Sequence, residues 1–267
     1  MSESQAGADQ ATPSEATVLT EITNGVGTIT LNRPDRMNAI TVELGERLHI
    51  ALLETAVRAQ VIVIRGSGGN FCAGGDFHEL ERLREAGRDA TAPLFANFRS
   101  ACDVIAEVPV PVICAIEGYA TAGGFELAQA ADIVLLHENA VLADIHSRYG
   151  QVPGGGGTQR LARLVGRQRA LAHILTGDRL TADDAIAWGL AYRKYSAAEF
   201  ESGVRDFAEQ LSTKNPVALA RTKRLVHQGL AMPLADGLNL EFETVLDHLT
   251  SSSAKDGIGS FTAGSKR

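Results

Sequence analysis

Apolar and polar residues alternate along Val18 to Thr23 and again along Val26 to Leu31, on either side of Asn24-Gly25. A period of two around Asn-Gly predicts two antiparallel strands joined by a tight hairpin. The period then lengthens: Leu44, Leu48, Ala51 and Leu52 follow helical spacing behind Thr41, a residue able to cap a helix. Val61 to Ile64 is a short β-branched run suited to burial on both faces. Phe77 to Arg84 predicts a short helix with Asp76 as its cap, residues 85–93 a surface loop, and Leu94 to Val108 a helix ended by Pro109 and Pro111. Next come a buried strand at Val112 to Ile116, a turn of small residues at Gly118 to Gly124, and an Ala-rich helix at Phe125 to Ala131. Ile133 to Leu136 and Ala140 to Ala143 predict two more strands. From Thr158 onward the pattern is helical, with Thr181 and Asp184 spaced as a capping box. Helices are expected at Glu199 to Leu211, Pro216 to Gly229 and Leu234 to Leu249. Strands mix with helices early and helices dominate late, which predicts an α/β core followed by a helical C-terminal part.

Composition narrows the function classes. The 267 residues are 45% hydrophobic and 21% charged, ordinary for a soluble globular chain, and the net charge is -7. That balance argues against nucleic acid, whose phosphates call for clustered Lys and Arg. No apolar run approaches the roughly 18 residues of a membrane span. The N-terminus lacks a basic-then-apolar secretory pattern, so a cytoplasmic protein is expected. Cys72, Cys102 and Cys114 have apolar neighbours and no metal spacing, which fits reduced core thiols. Residues 1–16 are too poor in apolar side chains to repay ordering and read as a disordered tail. The remainder divides into a core over 17–200 and a helical region over 201–267.

Candidate chemistry sits at two strand–glycine–helix turns, FCAGGD (Phe71 to Asp76) and the one running through Gly123-Gly124. Helix starts leave backbone N–H groups unpaired, and the helix dipole adds positive potential there. One N–H from each turn could converge on a single oxyanion; removing one such donor costs roughly 3 kcal/mol in known enzymes. Glu126 lies about one turn into the second helix, so its carboxylate can return to the same spot.

These pieces resemble the enoyl-CoA hydratase/isomerase (crotonase) superfamily. The matching segments are LNRPDRMNAI (Leu31 to Ile40), GNFCAGGDF (Gly69 to Phe77), PVICAIEGYATAGGFELAQAADI (Pro111 to Ile133) and VPGGGGTQRLARLVG (Val152 to Gly166). LTGDRLTADDAIAWGL (Leu175 to Leu190) and NPVALARTKRL (Asn215 to Leu225) complete a set that runs in the family's order. The resemblance implies a crotonase-like spiral of ββα units with C-terminal helices used for trimerisation, giving a homotrimer or dimer of trimers. It implies an acyl-CoA thioester as partner, with coenzyme A present only as part of the substrate and no metal or other cofactor. By position, Gly75 and Gly123 would supply the oxyanion donors. Ala73 falls where the backbone meets the adenine, Arg36 and Met37 on the loop flanking the CoA, and Asp76 beside the first donor. The basic end, Lys266-Arg267, is a further candidate for the CoA phosphates.

Hydratases of this family use two glutamates sharing a water. Glu126 occupies one position; the other, seven residues before Pro153, holds His146. An imidazole titrating near neutrality can give or take a proton beside Glu126, or it can be a polar residue left in a pocket that has lost hydratase chemistry. Asp144 is a candidate to orient it, whereas a triad of Asp144, His146 and Ser147 is not expected from near neighbours in sequence. Tyr149 and Arg148 are candidates to line the acyl pocket. The leading expectation is an enoyl-CoA hydratase-like lyase working through an enolate. A crotonase-fold isomerase or C–C hydrolase, and an acyl-CoA-binding protein with little catalysis, stand as alternatives.

Overall fold

Asn24 and Gly25 both take positive φ, 52° and 77°, and close the hairpin between β1 (Val18–Thr23) and β2 (Val26–Leu31). The computed structural model describes residues 16–254; the expected tail, apart from residue 16, and Lys266-Arg267 lie outside them. Helix α1 (Val42–Arg58) starts at Thr41, whose Oγ1 accepts the Leu44 N–H at 3.0 Å. Next come β3 (Val61–Gly66), α2 (Phe77–Ala86), α3 (Arg88–Glu107) and β4 (Val112–Ile116). Then follow β5 (Tyr119–Thr121), α4 (Gly123–Ala130), β6 (Ile133–His137) and β7 (Val141–Ala143). The last third contains α5 (Gly157–Val165), α6 (Arg167–Thr176), β8 (Leu180–Thr181), α7 (Ala182–Ala187) and β9 (Arg193–Tyr195). Helices α8 (Phe200–Ser212), α9 (Pro216–Gly229) and α10 (Leu234–Leu249) end it.

The expected α/β architecture is present as one six-stranded sheet, β1-β2-β3-β4-β6-β9, parallel except at the hairpin. A three-stranded sheet, β5-β7-β8, lies beside it. Strand β4 is buried along its whole length, as a parallel strand covered on both faces must be. Phe71, Phe125, Leu44, Leu48, Leu52, Ile105 and Ile116 are among the core residues of the main cluster.

Three local readings needed correction. Residues 85–93 are helical rather than a loop: Gly87, at φ 100°, alone separates α2 from α3. Pro93 lies inside α3, where it has no N–H to give the Asp89 carbonyl. The stretch read as one turn from Gly118 to Gly124 contains strand β5, paired in parallel with β7. Strands β8 and β9 interrupt the C-terminal helices, and their two or three residues are too few to show a period. The Thr181–Asp184 capping box is present on both sides.

One ionic cluster ties α9 to the sheet. Asp132, just before β6, accepts the Val112 N–H at 2.7 Å, Lys223 Nζ lies 2.7 Å from its Oδ2, and His227 Nε2 lies 2.7 Å from its Oδ1. Lys223 also donates to the Val110 carbonyl at 2.8 Å. Among the described residues, no helix is long and apolar enough to cross a membrane.

Candidate active site

The two glycine turns lie against each other. Cys72 and Ala120 form a parallel bridge, with the Cys72 N–H donating to Tyr119 O and the Thr121 N–H to Cys72 O, each at 2.9 Å. The Thr121 hydroxyl donates to Ala73 O at 2.9 Å. This contact explains Gly124: a Cβ there would stand 2.1 Å from the Cys72 carbonyl oxygen. Its glycine admits the neighbouring backbone rather than a ligand.

Between β5 and α4 the chain turns at Ala122, which holds φ 48° and ψ -117°. A positive φ in so sparsely populated a region at a non-glycine residue costs on the order of 1–3 kcal/mol and persists only where surrounding structure imposes it. Here the Ala122 N–H donates to Ala143 O at 2.9 Å, and its carbonyl accepts the Glu126 N–H at 3.0 Å. The strained corner starts α4 at Gly123 and leaves that residue's N–H without an acceptor among the described residues. Gly75 is likewise without one. Its neighbours, the Gly74 carbonyl and the Asp76 N–H, pair with Ile40, so the Gly75 amide faces the other way. A Cβ on Gly74 would come within 3.4 Å of Gly123 N, so the two free amides belong to adjoining segments.

A cavity of about 60 Å³ opens beside them, and Ala73, Gly75, Gly123, Glu126 and His146 all line it. Ile40, Leu94, Phe95 and Phe98 give it an apolar wall, and Tyr149 meets Phe77 edge-on at its rim, 5.1 Å between ring centres. The remaining expected residues lie apart. Arg36 and Asp76 line a neighbouring charged groove, and Met37 is exposed on its loop. Asp76 is occupied: it accepts the His78 and Glu79 N–H groups at the start of α2 and pairs with Arg33 at 2.9 Å. Arg148 packs beside Gly177 instead of lining the cavity. All three cysteines are buried and free; burial pushes the Cys72 thiol up to about 12, which leaves it a poor nucleophile.

Glu126 is 2% exposed, and its Oε1 accepts the N–H groups of Gly155 and Gly157, each at 2.8 Å. Its Oε2 lies 4.0 Å from His146 Nε2. Burial raises the Glu126 carboxyl above the ordinary glutamate range, and the Gly157 and Gly155 amides and His146 oppose that without cancelling it. The second half of the site is an Asp–His pair. Asp144, fully buried, places Oδ1 2.7 Å from His146 Nδ1 and accepts the His146 N–H at 3.3 Å. Burial favours the neutral imidazole, but the Asp144 hydrogen bond and the charges of Asp144 and Glu126 outweigh it, so His146 is more basic than usual. The Asp144 N–H in turn donates to His173 Nε2 at 3.1 Å, and burial holds His173 below its usual range. No hydrogen bond joins Ser147 to His146, and the Ser147 hydroxyl is buried without a partner among the described residues.

Sequence reasoning missed the Gly155 and Gly157 amides and His173. A hydrogen bond from a glycine loop to a carboxylate some thirty residues earlier has no local signal, and His173 shows only as one buried position on α6. Among the described residues, no group of three or more His, Cys, Asp or Glu is placed to hold a metal ion.

The model of a family described as enoyl-CoA hydratase/isomerase matches residues 21–266. The mitochondrial enoyl-CoA hydratase of Pongo abelii is 34% identical over 240 residues, 89% of this chain and 81% of that protein. The crystal structure of an enoyl-CoA hydratase from Polaromonas sp. JS666 superposes with a TM-score of 0.89 at 30% identity, covering 92% of this chain and 97% of that one. That of the Bacillus anthracis enoyl-CoA hydratase gives 0.88 at 28% identity over 93% and 96%.

Proposed function

The chain belongs to the enoyl-CoA hydratase/isomerase family, and from that premise we propose that it adds water across the double bond of an enoyl-CoA thioester. The observation that carries this reading is the meeting of Glu126 and His146 in one cavity with two free backbone amides. The thioester carbonyl oxygen sits between the Gly75 and Gly123 N–H groups. Water held by Glu126 Oε2 and His146 Nε2 gives one of them a proton as its oxygen bonds to the β-carbon. The double-bond electrons move to the thioester oxygen, and the two amides stabilise the resulting enolate. The enolate collapses as its α-carbon takes a proton from the other group, so one water is added and the pair returns to its starting charge. His146 thus serves where relatives keep a second glutamate, working at a pH where an imidazole both accepts and donates. Arg36, Met37, Ala73 and the surroundings of Asp76 flank the route by which the CoA moiety approaches. Exposed apolar residues of α10, including Leu234, Leu238 and Phe242, suit burial against further copies in a homotrimer or dimer of trimers.

The test is hydration of crotonyl-CoA and longer enoyl-CoAs, followed by loss of the enoyl absorbance. Turnover that disappears in Glu126→Gln supports the reading. Tight binding of CoA esters with no turnover points to a binding protein. The Asp144–His146 hydrogen bond favours one other reaction, hydrolytic cleavage of a β-keto thioester. There the water attacks the β-carbonyl, the carbon–carbon bond breaks toward the same enolate, and the α-carbon is then protonated. β-Keto esters belong in the same assay panel.

A further inference from the structure

We propose that Asp144 is a positioning residue: it holds His146 as the tautomer protonated at Nδ1, so that every proton His146 gains or loses is carried on Nε2, facing Glu126. The proposal deepens the reading above and rests on it for its catalytic consequence, but not for the tautomer itself.

Three observations lead there. First, Asp144 Oδ1 accepts from both the backbone N–H and the ring of one residue, His146, at 3.3 and 2.7 Å. A turn in which an aspartate caps the N–H two residues on is common. Capture of the side chain of that same residue is what makes the turn a clamp. Second, Asp144 is fully buried, yet its Oδ2 has no partner among the described residues. A buried carboxylate with a bare oxygen is costly, and such groups persist where they do a job. Third, the Asp144 N–H donates to His173 Nε2, which requires that nitrogen to be unprotonated. Neutral His173 therefore backs Asp144 from α6 and places no competing positive charge beside it.

The ring meets few charges. Asp144 faces it from the end of β7 and Glu126 from α4, with His173 behind Asp144. Because an ionised carboxylate only accepts, the proton between Asp144 and Nδ1 belongs to the ring. A neutral ring then shows a lone pair at Nε2, and a protonated ring shows an N–H there.

The experiment is nitrogen NMR of the full chain carrying labelled histidine, with His146 identified by the signals lost in His146→Gln. The wild type should show His146 with Nδ1 protonated in its neutral form and a titration midpoint above that of free imidazole. Asp144→Asn keeps an acceptor for the His146 N–H but loses the negative charge. It should lower the midpoint by about one unit or more, mix the tautomers, and reduce kcat about 100-fold or more with little change in KM. A wild-type ring protonated at Nε2 in its neutral form would overturn the proposal, even if the variant fails to fold. So would a folded Asp144→Asn protein with unchanged tautomer and midpoint. If the tautomer and midpoint behave as expected but no enoyl-CoA is hydrated, the positioning stands and the hydratase reading falls.

Discussion

His146 Nε2 and Glu126 Oε2 stand 4.0 Å apart, and each is the one polar atom of its group that the protein does not already hold. Asp144 holds Nδ1, and the Gly155 and Gly157 amides hold Oε1. Two atoms at that separation can both reach one water at about 2.8 Å, with the water lying to one side of the line between them. Both groups line the cavity, so a water bridging them from that side offers its free lone pair to whatever occupies it.

The pH dependence should report this pair. Both groups bind protons more tightly than their exposed counterparts, and they titrate together. One group must be free to accept while the other holds a proton, so activity falls as pH drops through the pair's lower apparent value and falls again as pH rises through the higher one. For His146 raised above 6.5, the alkaline limb of kcat/KM should lie above that value. Initial rates between pH 5 and 9, taken in about half-unit steps, check it. A rate that does not fall on the alkaline side would remove the second group as the proton donor.

Replacing Glu126 by Gln should separate activity from stability. An amide oxygen can still accept the Gly155 and Gly157 N–H groups, while the buried charge is gone. A raised folded-state value means that the wild type loses stability as pH rises from the ordinary glutamate range through that value. The gain in Tm for Glu126→Gln should therefore be larger at pH 8 than near pH 4.5, while kcat falls about 100- to 10,000-fold. Calorimetry at the two pH values, with parallel rate measurements, makes the comparison.

Two glycine-to-alanine changes should diverge. A Cβ at Gly155 would lie 2.5 Å from the Phe98 ring and 2.9 Å from Glu126 Oε2. Crowding of this kind costs about 1–3 kcal/mol, and here it displaces Glu126 as well. At Gly75 a Cβ meets nothing within 4 Å. Gly75→Ala should unfold in urea with the wild-type midpoint and still turn over poorly, because the methyl group intrudes where the thioester oxygen is expected. A Gly75→Ala protein as active as the wild type would count against that placement.

Asp132→Ala should loosen α9 without touching the chemistry. It strips the side-chain partner from Lys223, whose side chain is only 7% exposed, and from His227. Burial already draws the Lys223 amine below its ordinary range, so the orphaned group will shed its proton more readily. Breaking such a pair costs about 3–5 kcal/mol. Urea unfolding should show that loss, and limited proteolysis should cut first near α9, while kcat per folded molecule is unchanged.

Much of the fold was legible in the chain. The Asn24-Gly25 hairpin, the Thr41 and Asp76 caps and the buried strand at Val112 each declare themselves through short-range chemistry. Strands β5, β8 and β9 did not, because two or three residues cannot carry a period and their identity comes from partners elsewhere. At the site, Glu126, His146 and the two glycines were found by position and do meet in one cavity. Asp144, named as a candidate to orient His146, does meet its ring, although nearness in sequence alone says nothing about which way a side chain folds back. Only the tertiary structure turns the Gly155 and Gly157 amides toward Glu126.

The grip of Gly155 and Gly157 on Glu126 also means that the reactive centre cannot exist in fragments. The carboxylate rides on one helix and its clamps on the approach to another, so a nascent or partly denatured polypeptide carries every ingredient and no working assembly. On the proposed reading, turnover is thereby a gauge of completed folding.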